Sequence, residues 1–300
     1  MEIARPGPLK EAQTLGRARR GWGRRLFFLV LRNPLGLVGL LLVLTLVVVG
    51  SLAPLIAPFG ANESAGIAFK GPSWGHPFGT DQFGRDIMSR VIFGARISLA
   101  VGFLSVIGGT LVGTAIGMVS GYFGGWVDNV IQRGVDTAMA FPGLILLLII
   151  ISVLGPSMKN VIIVIGVGIV PGVSRVIRGA VLAEKQNQYV EAAQAVGASS
   201  VRILFRHLAP NVAPLAIVIA TTHLAGAILA EAGLSFLGLG VPPPNPSWGA
   251  DVNLARNAFP IHIWWAFFPG LAIALTVLGF NFLGDALRDI LDPRLRGATR

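Results

Sequence analysis

Long uncharged apolar runs alternate with short polar stretches along the whole chain. Leu35–Ala53 holds 19 residues without a charge, and Ile97–Val127 is uncharged throughout and longer than one bilayer crossing needs. Thr137–Met158 follows, then the shorter Asn160–Ser174, set off by the turn Gly155-Pro156-Ser157-Met158-Lys159. Leu208–Ala230 and Asn257–Gly284 each contain one His and no formal charge. A helix advances about 1.5 Å per residue, so about 20 apolar residues cross a hydrocarbon core. The runs predict an all-α integral membrane protein with six transmembrane helices, at about 35–55, 97–121, 135–155, 159–178, 211–232 and 262–284. The first run reads as a retained helix: the basic stretch before it is too long for a signal peptide, and no small-x-small site follows.

Composition supports that reading. Charged residues are 13% of the chain, against about 25% in soluble domains, and hydrophobic residues reach 53%. Too few polar side chains exist to coat a water-facing globule of this size. The 39 Gly follow no Gly-X-Y period and there is no Cys, which excludes collagen-like and disulfide-stapled classes. The net charge of +10 invites a nucleic-acid reading, but its distribution follows the membrane. With both termini on the cytoplasmic side, 18 of the 24 Lys and Arg fall inside and six outside. The expected layout is a basic cytoplasmic extension over 1–34, a membrane domain over 35–284 and a cytoplasmic tail over 285–300. Outside loops occupy 54–96 and 233–261, and a cytoplasmic segment occupies 179–210.

Within the second run, Ser105, Gly109, Gly113, Gly117, Gly121 and Gly125 recur every four residues. Small residues in that register open a groove on one helix face, where another backbone can approach closely. The pattern leaves open whether the partner helix belongs to this chain. Phe141-Pro142-Gly143 and Pro171-Gly172 predict kinks, because Pro interrupts the backbone ladder.

The cytoplasmic segment carries the most information. Tyr189, Ala192, Ala193 and Val196 fall on one helical face, and Gly197 is placed to stop that helix. Ser199 or Ser200 is placed to cap a second helix, in which Val201, Leu204, Phe205 and Leu208 repeat the spacing, with Arg202 and Arg206 on another face. Such a knob suits a groove on another protein. The alternative is a helix lying passively on lipid.

Here the residues resemble a known family. Glu191-Ala192-Ala193, with Gly197 four residues after Ala193 and Pro210 thirteen after Gly197, resembles the cytoplasmic signature of permease subunits of ATP-binding-cassette (ABC) importers. His207 and Ala209 depart from the usual Ile and Leu. His76 through Asp86 with Ser89-Arg90 and Gly94 through Leu99 resembles one branch, the second permease subunit of dipeptide, oligopeptide and nickel importers. So does Glu231 through Gly240 with Pro246 through Gly249, as does Phe268-Pro269-Gly270 through Asn281, Asp285, Arg288 and Arg294.

The resemblance implies a type I importer permease fold with both termini cytoplasmic. It makes Glu191, Ala192, Ala193 and Gly197 the positions that couple to an ATPase. The partners implied are a second homologous permease subunit, two ATP-binding subunits and an extracytoplasmic substrate-binding protein, in a bacterial or archaeal cell membrane. ATP and Mg would sit on the partner ATPase subunits. The chain itself has four Lys and none follows a Gly, so it cannot hold a phosphate-binding loop. It is expected to be non-catalytic and to move dipeptides or oligopeptides by alternating access, with nickel or another small solute as the alternative cargo.

Charges at span ends are pathway or gate candidates: Asp136 near the inner face and Glu231 near the outer, with a structural or gating role favoured over substrate contact. Asp81, Arg85 and Asp86 are expected to fix the outside loop by ion pairs. His76, His207, His223 and His262 are scattered, so no metal set is expected. A gradient-driven transporter would need ionisable residues mid-span and often two similar halves, and neither is evident. An intramembrane hydrolase would need more than Ser105 and His223, which nothing orients.

Overall fold

The computed structural model describes residues 33–291. The expected N-terminal extension, apart from Asn33 and Pro34, and the tail beyond 291 lie outside the described residues. Every regular element among the described residues is a helix: α1 Pro34–Ser51, α2 Ala53–Ile56, α3 Ile87–Phe123, α4 Gly125–Met139, α5 Gly143–Leu154, α6 Met158–Glu184, α7 Gln188–Ala195, α8 Ser200–Phe236, α9 Trp248–Ala255 and α10 Ile263–Leu291. Five of them (α1, α3, α6, α8, α10) are long and apolar enough to cross a membrane, and counting the bent pair α4–α5 as one span makes six.

Local sequence sets the helix starts. The Asn33 side chain accepts from the Leu35 and Gly36 amides at 3.2 and 3.4 Å, with Pro34 in the first turn. Asp86 opens α3 by accepting from the Ser89 amide at 2.8 Å, and Ser157 opens α6 by accepting from the Asn160 amide at 3.1 Å. Asn160 also donates to the Leu154 and Gly155 carbonyls at 2.8 and 2.9 Å, tying α6 to the end of α5.

Three expected boundaries move. Helix α3 starts at Ile87, well inside the expected outside loop 54–96, because Arg90 and Arg96 sit on a helix that continues beyond its uncharged stretch. Its 37 residues extend about 55 Å, against about 30 Å of hydrocarbon. The expected span 135–155 is the end of α4, a 94° bend and the 12-residue α5. Pro142 forces the bend: it lacks an amide donor and disfavours helical backbone at Phe141. Helix α4 itself is amphipathic and starts at Gly125. The loop expected at 233–261 begins only after Phe236 and contains α9.

The glycine register has its partner within the chain. Helices α3 and α6 run side by side in the same direction. A Cβ on Gly109 would lie 2.5 Å from the Gly166 carbonyl oxygen, one on Gly117 2.5 Å from that of Ser174, and one on Gly121 2.9 Å from that of Arg178. On Gly113 it would lie 2.8 Å from Val173 Cβ. Lipid offers no hydrophobic drive between helices, so this backbone approach is what holds the pair. Gly125 falls outside the groove: with φ +55° it is the first residue of α4, next to Gly124, φ +65°, which ends α3. Helices α1 and α10 meet similarly, Gly39 against Leu283 and Gly279.

The loops after α2 and α8, with α9, form a platform over the starts of α3 and α10. Arg90 of α3 pairs with Asp251 of α9 at 2.9 Å through Nε and 2.5 Å through Nη2, and both side chains are buried. The buried Trp248 donates its indole N–H to the Val91 carbonyl at 2.9 Å. Phe78 and Phe268 stack with centroids 3.9 Å apart.

Candidate functional site

Helix α7 buries two of its eight residues. Val190 and Ala193, three apart, are buried against the rest of the chain, while Tyr189, Glu191, Ala192, Gln194 and Ala195 are exposed. The expected face of Tyr189, Ala192, Ala193 and Val196 is therefore split. Ala193 turns inward, and Glu191, Ala192 and Val196 stand in solvent, Val196 at 84% exposure. A helix end closes the unit. Gly197 has φ +74°, its amide donates to the Gln194 carbonyl at 2.9 Å, and the Ala198 amide donates to the Ala193 carbonyl at 3.0 Å. These two bonds form a Schellman motif, which requires a left-handed residue after the helix.

Ser199, of the two candidate serines, caps α8 by accepting from the Arg202 amide at 3.4 Å. The first turns of α8 include a π-helical stretch, Ile203–Leu208. That stretch rotates the register. Ile203, Leu204 and Leu208 are buried, whereas Val201 and Phe205, expected on the inner stripe, are exposed.

The pathway candidates separate. Glu231 is fully buried between α3 and α8, where its carboxylate accepts from the Ser98 hydroxyl at 2.9 Å and the Ser235 hydroxyl at 2.8 Å. A carboxylate so enclosed joins two helices and lines no open space. Asp136 of α4 pairs with Arg175 of α6, both about half exposed. Beside it is a pair that sequence reasoning missed: Asp128 of α4 accepts from Arg178 Nε at 2.6 Å and also from Ser120, while Gln132 donates to Ser120 at 2.9 Å. The signal is present as Arg175 and Arg178 three apart on one helix. In the sequence those charges serve first as markers of membrane orientation.

In the platform, Asp81 pairs with Arg85 at 2.6 Å and also accepts from the Phe83 and Arg85 amides at 2.8 and 2.9 Å. Asp86 has partners other than Arg85. Besides its cap it accepts from the Ser89 hydroxyl at 2.8 Å, and it lies 3.1 Å from His76 Nδ1. Among the described residues no three His, Cys, Asp or Glu gather as a metal site.

Comparison with known proteins decides the family. Residues 113–297, more than half the chain, match the family described as "Binding-protein-dependent transport system inner membrane component". The chain belongs to this family. It is 40% identical to the dipeptide transport system permease protein DppC of Alkalihalophilus pseudofirmus, over 91% of this chain and 90% of that one. It is 41% identical to the glutathione transport system permease protein GsiD of Pectobacterium atrosepticum, over 89% of each. A chain of the inward-facing MetNI methionine ABC transporter superposes with TM-score 0.55 at 21% identity, covering 71% of this chain and 98% of that one, which shows a shared fold. The chain is thus a multi-pass, non-catalytic permease component of an ABC importer.

One open surface of this permease is apolar. A cleft of about 520 Å³ runs between α3 and α8, lined by Thr110, Thr114, Met118, Phe205, Ala213 and Ile217 among others. The hydroxyls of Thr110 and Thr114 have no hydrogen-bond partner among the described residues. Both oxygens are buried, so the wall that faces the cleft is apolar.

Proposed function

We propose that this permease is the second membrane subunit of an ATP-driven peptide importer, forming half of a translocation path with a homologous permease chain. Of two ATP-binding subunits, carrying ATP and Mg, one docks on α7 and the other on the homologous chain, and an extracytoplasmic binding protein delivers cargo to the platform. In this reading α7 and both termini face the cytoplasm of a bacterial or archaeal cell, and the platform faces outward. The observation that carries the docking is the exposed face of Glu191, Ala192 and Val196 on a short helix whose end is fixed by Gly197. The small Ala192 permits close seating, and Glu191 can meet a basic group on the partner. Peptide cargo is supported by the relatives named for dipeptide and glutathione transport.

Cargo passes by alternating access: closure of the ATPases displaces α7, and the two permease chains rock about their packed helices. Asp136 with Arg175, and Asp128 with Arg178, hold α4 on α6 and so set how far that bent element follows. Glu231 locks α8 to α3, which suits a structural role better than contact with cargo. Trp74, fully exposed at a tight turn of the platform, suits an anchor for the binding protein, since exposed Trp dominates many interfaces.

Substituting Ala192→Arg tests the docking. The variant is expected to insert normally and to lose co-purification of the ATPase subunits, and uptake with it. Stoichiometric co-purification and wild-type uptake would remove α7 from the interface.

A further inference from the structure

Helix α7 sits between two long helices, and among the described residues only one of its side chains hydrogen-bonds to both. Tyr189 donates its hydroxyl to Glu184 Oε1, on the last residue of α6, at 2.6 Å. The phenol oxygen in turn accepts from Asn211 Nδ2 of α8 at 2.9 Å. Among the described residues no other α7 side chain makes a hydrogen bond. The remaining support of α7 is the seat of Val190 and Ala193, and apolar contacts are non-directional. A seat of that kind resists separation more than sliding. Hydrogen bonds carry direction, and one to a carboxylate is stronger than a neutral one.

The α8 end of this link is where that helix is weakest. Pro210 offers no amide to the carbonyl four residues before it, Pro214 follows inside the helix, and Ile203–Leu208 is π-helical. Asn211 Nδ2 also donates to the His207 carbonyl at 2.7 Å, so one amide joins Tyr189 to the irregular turn. The His207 ring lies beside that of Tyr189, with centroids 6.2 Å apart. Partial burial, and then the Glu184 hydrogen bond, hold the Tyr189 phenol above its ordinary pKa. It therefore remains a donor throughout the physiological range.

We propose that the Tyr189 hydroxyl is the joint through which displacement of α7 is passed to both α6 and α8. It is a positioning residue: it touches neither cargo nor nucleotide. The inference rests on the reading of α7 as the ATPase-docking helix. Glu184 fixes the donor side of the phenol and Asn211 the acceptor side, so a shift of α7 pulls on the end of one spanning helix and the pliable start of another. Without the hydroxyl, α7 moves on its apolar seat and the spans lag behind.

The test uses the full complex with its binding protein in proteoliposomes, reading cargo transported per ATP hydrolysed. Tyr189→Phe keeps the ring and deletes both hydrogen bonds. The expected result is retained ATPase co-purification and continued hydrolysis. Cargo per ATP falls at least about five-fold, the change that loss of even one of the two hydrogen bonds, at ~1 kcal/mol, gives. Asn211→Ala is expected to lower the ratio similarly, and the double variant no further, since both cut one path. An unchanged ratio in Tyr189→Phe, or fully additive losses, overturns the joint. If Tyr189→Phe fails to assemble, Asn211→Ala decides alone, and an unchanged ratio there overturns it. A wild-type chain that never retains ATPase subunits would sink the docking reading instead, so the two failures are distinct.

Discussion

At Gly197 the backbone, and not its surroundings, dictates the residue. A Cβ there would meet nothing within 4 Å, yet φ is +74°. A non-glycine residue in that region costs about 1–2 kcal/mol, and relief of the strain would unwind the Schellman bonds that end α7. Gly197→Ala should therefore leave the subunit inserted and stable while lowering ATPase-driven uptake severalfold. Gly197→Asn should lie nearer wild type, because Asn tolerates the left-handed region. Uptake assays on the two variants at matched expression check this, and equal losses would point to lost contact area. The same residue shows what sequence can reveal. A glycine stop after a small-residue face is a local signal, and it places α7 and its end correctly. The Arg90–Asp251 pair joins residues 161 positions apart, and no local pattern connects them. Glu231 is visible as a charge at a span end, but its enclosure by Ser98 and Ser235 depends on the packing of α3 on α8.

Among elements, the α3–α6 pair shows the contrast between register and composition. Adjacent glycines on α3 differ completely: Gly108 meets nothing within 4 Å, whereas Gly109 and Gly117 abut carbonyl oxygens of α6. Added side chains at the second kind of position must separate two backbones whose close approach holds the pair in lipid. Gly117→Leu should abolish stable folding or lower the detergent melting temperature steeply. Gly108→Ala should be neutral or slightly stabilising, since Ala exceeds Gly in helices by up to about 1 kcal/mol. Thermal scans of both variants discriminate, and comparable behaviour would refute the groove. The four-residue period is enough to mark that groove, because it is a property of one helix. Which helix faces it is a matter of tertiary packing, to which a local period is blind. Helices α4 and α5 are less legible. Apolar runs report hydrophobicity, and a continuous one spanning a 94° bend looks like a straight crossing. The amphipathic α4 is further obscured because the Arg partners of its Asp residues lie on a different helix.

For the molecule as a whole, the length of α3 places the platform. Arg96 is exposed and is the last charge before the long uncharged run, while α3 begins nine residues earlier at Ile87. That offset raises the helix start about 14 Å along the axis, beyond a headgroup layer roughly 5–8 Å deep. Asp86 and His76 hold the Trp74 turn at that end of α3, so the turn is expected to stand clear of lipid. At the other end, α7 lies past Arg175 and Arg178, the first charges after the apolar stretch of α6. The two features should therefore face opposite compartments, and direct import requires it. The chain contains no Cys, so a single introduced thiol reports its own side without background. Trp74→Cys should react with a membrane-impermeant maleimide in right-side-out vesicles and be protected in inside-out ones. Ala192→Cys should show the reverse, and excess of the ATPase subunits should shield it. Labelling of both from one side would place platform and docking helix in the same compartment. No importer driven from the cytoplasm and fed from outside could then be built from this subunit.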